Sequence, residues 1–471
     1  MKIALIFTPS IYQTKETMPP LGLAWLAAVL QKNGFNDVYI IDSVINKYDN
    51  QKIIELLKEQ GADLIGLSFG TQNRFYAFQL AELIKKNFPS VPLVAGGPHV
   101  TLTADDTLRQ IQSIDIIVRG EGEFTFLELI QAIERGNDIR MINGLSYRNS
   151  QGEIFHNTER TPIIDLDVLP FPARELLPIK NYQQKIPLSD KICTSMITSR
   201  GCPNNCIYCS TASQWGHNIR FRSPKNIVDE IEIIVNKYGL EGVGFFDDCF
   251  TVDKKRVIAI CQEIINRGLK IGWWCEARAN TLDPEVLAWM KRAGCEYIAM
   301  AIESGSNEVL KRIKKMITVE QGIAAAKMIH AVGIKQKIFF MHGLPGETYE
   351  DIKKTVFLSR YLLDRVGVEE ATQGVTIIYP HTEIETIAKE LNILPQDFSW
   401  SRIFHEPRSY PPLIVSQNMP IFEQPNLSYE NIFQFARRAK MEYYLSHPLF
   451  LARKLWKHRD NITKWFTTRT V

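Results

Sequence analysis

Long apolar runs and a large net charge are both missing from the sequence. No stretch reaches the 18 or so apolar residues of a membrane-spanning helix, and the N-terminus has only five in a row, residues 3–7, too few for a signal-peptide core. The 55 Lys and Arg residues nearly balance the 52 Asp and Glu residues, which leaves a net charge of +3. We therefore expect a cytoplasmic protein that neither spans a membrane nor binds nucleic acid.

Cysteine is scarce, with eight residues in 471. A cytosolic chain keeps its thiols reduced, so we expect no disulfide framework. Three of the eight, Cys202, Cys206 and Cys209, form a C-x3-C-x2-C motif in "CPNNCIYC". Zinc sites and electron-transfer iron–sulfur clusters normally close with four protein ligands, so this triplet predicts a metal centre with one open position. The other five are predicted to be buried: Cys193, Cys249, Cys261, Cys275 and Cys295.

Strand-like runs alternate with helical patterns over residues 1–140. This order predicts a Rossmann-like, flavodoxin-like domain with a doubly wound parallel sheet, whose ligands bind beyond the carboxyl ends of the strands. The segments at those ends are "TPS" (8–10), "GTQ" (70–72), "GGPH" (96–99) and "GEGE" (120–123). Their glycines let a bulky ligand approach the backbone, although each one alone also suits a tight turn.

Three further regions follow. Residues 141–190 are rich in proline and read as an irregular linker. Residues 191–395 contain six strand–helix units, which predict a partial (β/α)6 barrel with its working face, and the cysteine motif, at the strand ends. Residues 396–471 are predicted to be helical, with nine Lys or Arg against three Asp or Glu between 430 and 471. Three alternatives fit such a tail: it covers an apolar substrate cavity, it contacts a membrane surface, or it forms a helix pair with a solvated basic face.

The cysteine motif, with Tyr208 before its last cysteine, resembles that of the radical S-adenosylmethionine (SAM) superfamily. The resemblance implies a 4Fe-4S cluster whose open iron binds SAM, and a 5′-deoxyadenosyl radical formed when a reductase, flavodoxin or ferredoxin supplies an electron. It further implies SAM contacts after strands two to five of the barrel, in "FFDDCF", "ARAN", "AIESGS" and "FFMHGLPGET". The matching residues are Asp247, Asp248, Arg278, Glu303, Ser304, Gly343 and Gly346.

Motifs of the N-terminal half, "PPLGLAWLAAVL", "GGPHVT", "RGEGE" and "LPFPARELLP", resemble the cobalamin-binding-domain radical SAM enzymes. That group includes the anaerobic magnesium-protoporphyrin ester cyclases and several C-methylases. The resemblance implies cobalamin at the sheet edge, but the D-x-H-x-x-G signature is absent, so we expect cobalt without a histidine ligand. His381 stands where family members tend to carry glycine. The loop positions that match are Ser68, Thr71, Gly96, Gly97 and His99.

Three functional hypotheses remain open at this point. The first is a radical enzyme that uses cobalamin for C-methylation or oxidative cyclisation of a lipid, tetrapyrrole or natural-product intermediate. The second keeps the radical chemistry but makes the N-terminal domain a relic without cobalamin. The third is a non-catalytic iron–sulfur or zinc protein, which requires a fourth ligand that the sequence does not offer.

Overall fold

The computed structural model describes residues 1–9, 17–403 and 419–447. The strands are β1 Ile3–Phe7, β2 Val38–Asp42, β3 Leu64–Ser68, β4 Leu93–Gly96, β5 Ile116–Val118, β6 Leu145–Arg148, β7 Ile154–His156, β8 Cys193–Met196, β9 Ser199–Arg200, β10 Arg220–Phe221, β11 Gly242–Phe245, β12 Gly272–Ala277, β13 Cys295–Glu303, β14 Lys335–His342 and β15 Glu370–Val375. The α-helices are α1 Leu21–Lys32, α2 Asn50–Gln60, α3 Arg74–Asn87, α4 Pro98–Gln110, α5 Gly122–Arg135, α6 Thr211–Trp215, α7 Pro224–Tyr238, α8 Lys254–Asn266, α9 Pro284–Arg292, α10 Asn307–Arg312, α11 Val319–Ala331, α12 Tyr349–Tyr361, α13 Glu383–Glu390 and α14 Tyr429–Ser446. None of these helices is both long and apolar enough to cross a membrane.

The first sheet has the order β2-β1-β3-β4-β5-β6-β7. Strands β1 to β5 are parallel, and the chain reverses its direction across the sheet at β1. Right-handed crossovers then place helices on both faces. Helices α1 and α5 cover one face, and α2, α3 and α4 cover the other. The prediction of a doubly wound, flavodoxin-like domain is confirmed, with its switch point between β1 and β3.

An antiparallel hairpin, β6 and β7, extends this sheet past the predicted boundary at residue 140. Its strands carry short mixed sequences, and only β6 is well buried, so they lack the apolar runs that indicate the other strands of this sheet. Beyond the hairpin, the chain up to β8 forms only short 3-10 turns at Leu166–Val168, Arg174–Leu176 and Ile179–Asn181 and one isolated bridge between Lys185 and Ile192. The irregular linker is therefore shorter than predicted.

The second sheet has six parallel strands in the sequential order β8-β11-β12-β13-β14-β15. Because each right-handed crossover moves the chain the same way across the sheet, the helices all lie on one face and leave an open inner face. The predicted partial barrel is confirmed. Its last strand, β15, is a half-exposed and largely polar edge strand, whereas the other strands are apolar.

The described part of the C-terminal region packs on the barrel. Helix α14 buries Ile432, Ala436 and Ala439 against Ile352 and Val356 of α12. Residues 396–403 are not helical, unlike the predicted helical region. The rest of the predicted tail, residues 404–418 and 448–471, lies outside the described residues, as does Ser10 of "TPS".

Candidate active site

A short two-stranded ladder closes the cysteine loop at its base. Arg200 of β9 pairs with Arg220 of β10, so residues 201–219 leave and return at one point. Gly201 begins the loop with φ of +96°, and a Cβ there would lie 2.6 Å from the Asn218 carbonyl oxygen, so only glycine suits the position. The loop is anchored to the barrel by the Ile207 amide, which donates to the Ile313 carbonyl at 3.2 Å.

All three motif cysteines line one cavity of about 220 Å³ at the carboxyl ends of β11, β12 and β13. Among the described residues, no three His, Cys, Asp or Glu side chains are arranged to hold a single metal ion. A lone Zn²⁺ would need its sulfur ligands about 2.3 Å away. Three thiols spread around a cavity of this size suit a polynuclear cluster and a small molecule beside it instead.

Polar groups already contact the three sulfur atoms. The Asn204 side-chain amide donates to Cys202 at 3.3 Å, Arg278 Nη1 lies 3.9 Å from the Cys206 sulfur, and the Thr211 hydroxyl lies 3.2 Å from the Cys209 sulfur. The hydrogen bonds from Asn204 and Arg278 stabilise negative charge on the cluster ligands, whereas the Thr211 hydroxyl accepts from the Cys209 thiol and donates to Asp248 at 2.9 Å. The donor set therefore fits an iron–sulfur cluster held by three thiolates.

Five acidic or basic side chains line the rest of the cavity. Glu303 enters it where the β13–β14 register shifts, with a left-handed φ of +75°. Its carboxylate accepts from Lys315 Nζ at 3.0 Å and from the Tyr208 hydroxyl at 2.8 Å. The Glu303 and Lys315 side chains are each only 7% exposed. The set is Asp248, Glu276, Arg278, Glu303 and Lys315.

Two of these carboxylates have raised pKa values. Burial, and then the charge of Asp247, raises the pKa of Asp248 to about 6, against the effect of a hydrogen bond from Thr211. Burial, and then the charge of Asp248, raises the pKa of Glu276 to about 6. Because perturbed carboxylates facing a cavity attract cationic groups, this side of the cavity suits an ammonium or sulfonium. Lys315 and Arg278 suit a carboxylate, so the cavity can hold the zwitterionic end of SAM.

Four other residues predicted to contact SAM do not line this cavity. Asp247 is buried and accepts from the Thr198 amide (2.6 Å), the Thr198 hydroxyl (2.5 Å) and the Ser199 hydroxyl (2.6 Å). Ser304 accepts from the Ser306 amide at 3.2 Å. Gly343 and Gly346 have positive φ in the turn after β14, where the Gly346 amide donates to Gln424. His381, the departure from the family pattern, is exposed and also has positive φ.

The residues predicted to contact cobalamin lie at the carboxyl edge of the first sheet. His99 is fully buried, with Nδ1 3.2 Å from the Thr71 hydroxyl and no partner for Nε2 among the described residues. Burial holds its pKa well below the usual range. Gly97 has φ of +101°, and a Cβ there would lie 2.6 Å from the Phe69 carbonyl oxygen and 3.2 Å from Ser68 Oγ. Both residues are closely packed within this edge, and their contact with cobalamin stays a prediction.

Other glycines leave the same edge uncovered. A Cβ at Gly70 or Gly96 would meet nothing closer than 3.8 Å, and one at Gly120 would meet nothing within 4 Å. The Gln72 side chain of this edge donates to the Tyr379 hydroxyl, beyond the end of β15, at 2.8 Å. The edge therefore offers bare backbone beside the end of the second sheet, which suits a large planar ligand such as cobalamin.

Sequence reasoning missed several cavity residues. Glu276 follows Trp274 by two positions on β12, so strand alternation puts both on the inner face, a signal the sequence contains. Lys315 lies in a loop between Lys314 and Met316, which both have φ near +55°, and no sequence pattern announces it. Asn204 lies within the motif and Thr211 two positions after it, and neither residue type by itself indicates a contact with sulfur.

The fold and the cysteine cavity together define a metal- and SAM-dependent radical enzyme. The radical SAM superfamily model matches residues 196–358, and the B12 binding domain model matches residues 11–130. An uncharacterized methyltransferase of Pyrococcus horikoshii is 33% identical over 469 residues, which are 98% of this chain and 96% of the relative. The chain belongs to the radical SAM enzymes that carry a B12-binding domain, and its cofactors are a 4Fe-4S cluster, SAM and cobalamin.

Further similarities agree with that family. The anaerobic magnesium-protoporphyrin IX monomethyl ester cyclase of Rubrivivax gelatinosus is 30% identical over 73% of this chain, and the match spans 62% of the cyclase, less than two thirds of its length. Two solved structures share the fold. The cobalamin-dependent radical enzyme OxsB has a TM-score of 0.75 and 19% identity, over 92% of this chain and 66% of its own. TsrM from Kitasatospora setae has a TM-score of 0.68 and 19% identity, over 84% of this chain and 76% of its own.

Proposed function

We propose that this chain is a cobalamin-dependent radical SAM C-methyltransferase that acts on a small organic molecule. The observations that carry the proposal are the cysteine cavity with its five acidic or basic side chains and the uncovered edge of the B12-binding domain. The contact between Gln72 and Tyr379 supports a common reaction space for the two domains. Methyl transfer is favoured over cyclisation because the relative matched over 98% of this chain and 96% of its own length is an uncharacterized methyltransferase.

The chain's own side chains bind and orient the cofactors. Cys202, Cys206 and Cys209 hold the cluster, and their polar neighbours stabilise its negative charge. When bound, the cluster supplies the electron that cleaves SAM, and cobalamin carries the methyl group. Gly70, Gly96 and Gly120 let cobalamin approach the backbone of the first sheet closely, and Ser68 and Thr71 lie at the same edge.

The ionisable groups of the cavity hold the amino-acid end of SAM in one orientation. Lys315 and Arg278 bind its carboxylate, while Asp248 and Glu276 face its ammonium. Glu303, fixed by Lys315 and Tyr208, keeps this arrangement preorganised, which lowers the cost of aligning SAM with the cluster. Asp247 acts on the cysteine loop rather than on SAM, because its hydrogen bonds hold Thr198 and Ser199 at the start of β9.

Several finer points belong to the same proposal. A flavodoxin- or ferredoxin-type protein donates the electron, since each SAM cleavage consumes one. The substrate is a small molecule such as a tetrapyrrole, in keeping with the cyclase relatives. The domains are those predicted from the sequence, with the first extended to the β6–β7 hairpin. A cytoplasmic location and a membrane contact of the basic tail stay predictions.

The products of SAM test the proposal without knowledge of the substrate. Reconstituted, cobalamin-loaded protein under a strong reductant should form 5′-deoxyadenosine, from reductive cleavage, and S-adenosylhomocysteine, from methyl donation. A variant with Cys202, Cys206 and Cys209 changed to Ala should form no 5′-deoxyadenosine. Formation of 5′-deoxyadenosine without S-adenosylhomocysteine would exclude methyl transfer, and failure to take up cobalamin would make the first domain a relic.

A further inference from the structure

A buried group of four charges joins the two domains beside the cysteine loop. Arg200 Nη2 donates to Glu123 Oε1 at 2.5 Å, and Arg200 Nη1 lies 3.4 Å from Glu121 Oε2. Arg220 forms a close ion pair with the other oxygen of Glu121. All four side chains are between 4% and 7% exposed. Two positive charges and two negative charges make the group neutral, as burial requires.

These charges meet at the base of the cysteine loop. Arg200 and Arg220 are the paired residues of the β9–β10 ladder that closes the loop, and Arg200 comes two positions before Cys202. The Arg200 guanidinium carbon also lies 5.3 Å from the ring centroid of Trp25 in α1 and 5.3 Å from that of Trp215 inside the loop. Both ends of the loop are therefore held by side chains of the first domain.

Both carboxylates of this group belong to the B12-binding domain. Glu121 and Glu123 lie in the turn after β5 and the first turn of α5, at the carboxyl edge of the first sheet, next to Gly120. Glu121 also accepts from the Ile163 amide at 2.8 Å, while Arg220 donates to the Ile163 carbonyl at 2.8 Å. One compact group thus connects the cobalamin edge, the linker and the base of the cysteine loop.

We propose that Glu121 and Glu123 are positioning residues that act through Arg200 and Arg220 to set the place of the cysteine loop relative to the barrel cavity. The B12-binding domain then has a second task, which is to fix the geometry of SAM cleavage at the neighbouring site. The inference rests on the proposed binding of the cluster by the three cysteines. The inference is based on the location of the two arginines at the two ends of one loop, each paired with a carboxylate of the first domain. A contact that only held the two domains together would not need to lie at both ends of the cysteine loop.

The test changes one carboxylate without changing its shape. Glu123→Gln leaves the two arginines with a single carboxylate, so the base of the loop should shift. A matched control is Glu128→Gln on the same helix, whose carboxylate pairs with Arg160 and is 44% exposed. Both variants and the unchanged protein are reconstituted with cluster and cobalamin. The rate of 5′-deoxyadenosine formation is then measured at several SAM concentrations. The electron-paramagnetic spectrum of the reduced cluster is recorded with and without SAM.

For Glu123→Gln we expect kcat for SAM cleavage to fall by about tenfold to hundredfold, the usual effect of a small misplacement of reacting groups. The KM for SAM should stay within about twofold, because the cavity residues are unchanged. The spectral change on SAM addition should differ from that of the unchanged protein. Glu128→Gln should match the unchanged protein in all three. A wild-type spectrum and kcat in fully loaded Glu123→Gln would overturn the proposal.

A second variant covers the case in which Glu123→Gln does not fold. The double variant Arg200→Gln with Glu123→Gln removes one charge of each sign and leaves Glu121 and Arg220 paired. We expect it to fold and to show the same loss of kcat, or a loss of cluster uptake at an unchanged unfolding midpoint. Wild-type uptake and kcat in this variant would refute the inference. If the unchanged protein itself binds no cluster, the proposed function fails instead, and the two failures are distinguished.

Discussion

Two neighbouring aspartates, Asp247 and Asp248, should respond in opposite ways to the same substitution. Asp247 faces inward and accepts three hydrogen bonds from Thr198 and Ser199, whereas Asp248 lines the cavity. A hydrogen bond to a charged group contributes about 1.5–3 kcal/mol and a neutral one about 0.5–1.5 kcal/mol. Asp247→Asn therefore weakens three bonds by roughly 1 kcal/mol each, and we expect it to lower the free energy of unfolding by about 3 kcal/mol.

SAM affinity should follow the reverse order. Asp248→Asn removes one charged contact from the cavity, so we expect the Kd for SAM to rise about tenfold, equivalent to about 1.4 kcal/mol. Asp247→Asn should leave that Kd within about twofold in the fraction of protein that holds a cluster. Urea unfolding of the cofactor-free protein and SAM titration of the reconstituted protein measure the two quantities. The reasoning is refuted if Asp247→Asn weakens SAM binding more than Asp248→Asn, or leaves stability unchanged.

Three more outcomes follow from the same geometry. Lys315→Met leaves the buried Glu303 without its counter-charge and should lower the free energy of unfolding by about 3–5 kcal/mol. Adding Glu303→Gln to this variant should restore most of the loss. Equal stabilities of the single and double variants in urea would argue against the ion pair. Asp248 and Glu276, with pKa values of about 6, are protonated below that pH and ionised above it. SAM affinity should therefore rise from pH ~5 to ~7. A series of SAM titrations with the opposite trend would contradict the contact of these carboxylates with a cation. A Cβ at Gly96 meets no close neighbour, so Gly96→Trp should block cobalamin uptake with cluster absorbance retained. Gly97→Ala should instead destabilise the first domain by more than about 1 kcal/mol, because φ is positive and the Cβ would contact Phe69; thermal unfolding and cobalamin titration separate the two effects.

The sequence predicted the parallel strands well because buried parallel strands are apolar on both faces and form continuous runs. It failed where that condition lapses. The hairpin β6–β7 and the first half of β15 lie at sheet edges, and their mixed composition resembles a loop. Glycine-rich turns between strands and helices gave the carboxyl edges of both sheets, which is why the region of the active site could be located at all.

Within the candidate site, residue type was easier to predict than residue orientation. The pair Asp247 and Asp248 shows the reason. Two successive residues at a strand end point to opposite sides, and only the packing of Thr198 decides which of them reaches the cavity. Lys315 could not be found from sequence, because its position depends on two left-handed neighbours and on the ion pair with Glu303.

After the barrel the chain contacts the first domain again, and this second attachment constrains how a substrate enters. After the barrel, residues 399–402 return to the first domain, where Ser399 and the Ser401 amide donate to Asp106 and Arg74 donates to the Trp400 carbonyl. A domain attached through one linker can rotate away from its neighbour. A domain attached at two separate points cannot rotate in this way without breaking one set of these contacts. We therefore expect substrates to reach the reaction space by movement of loops at its rim rather than by domain opening, so that the size of this opening limits which molecules the enzyme accepts.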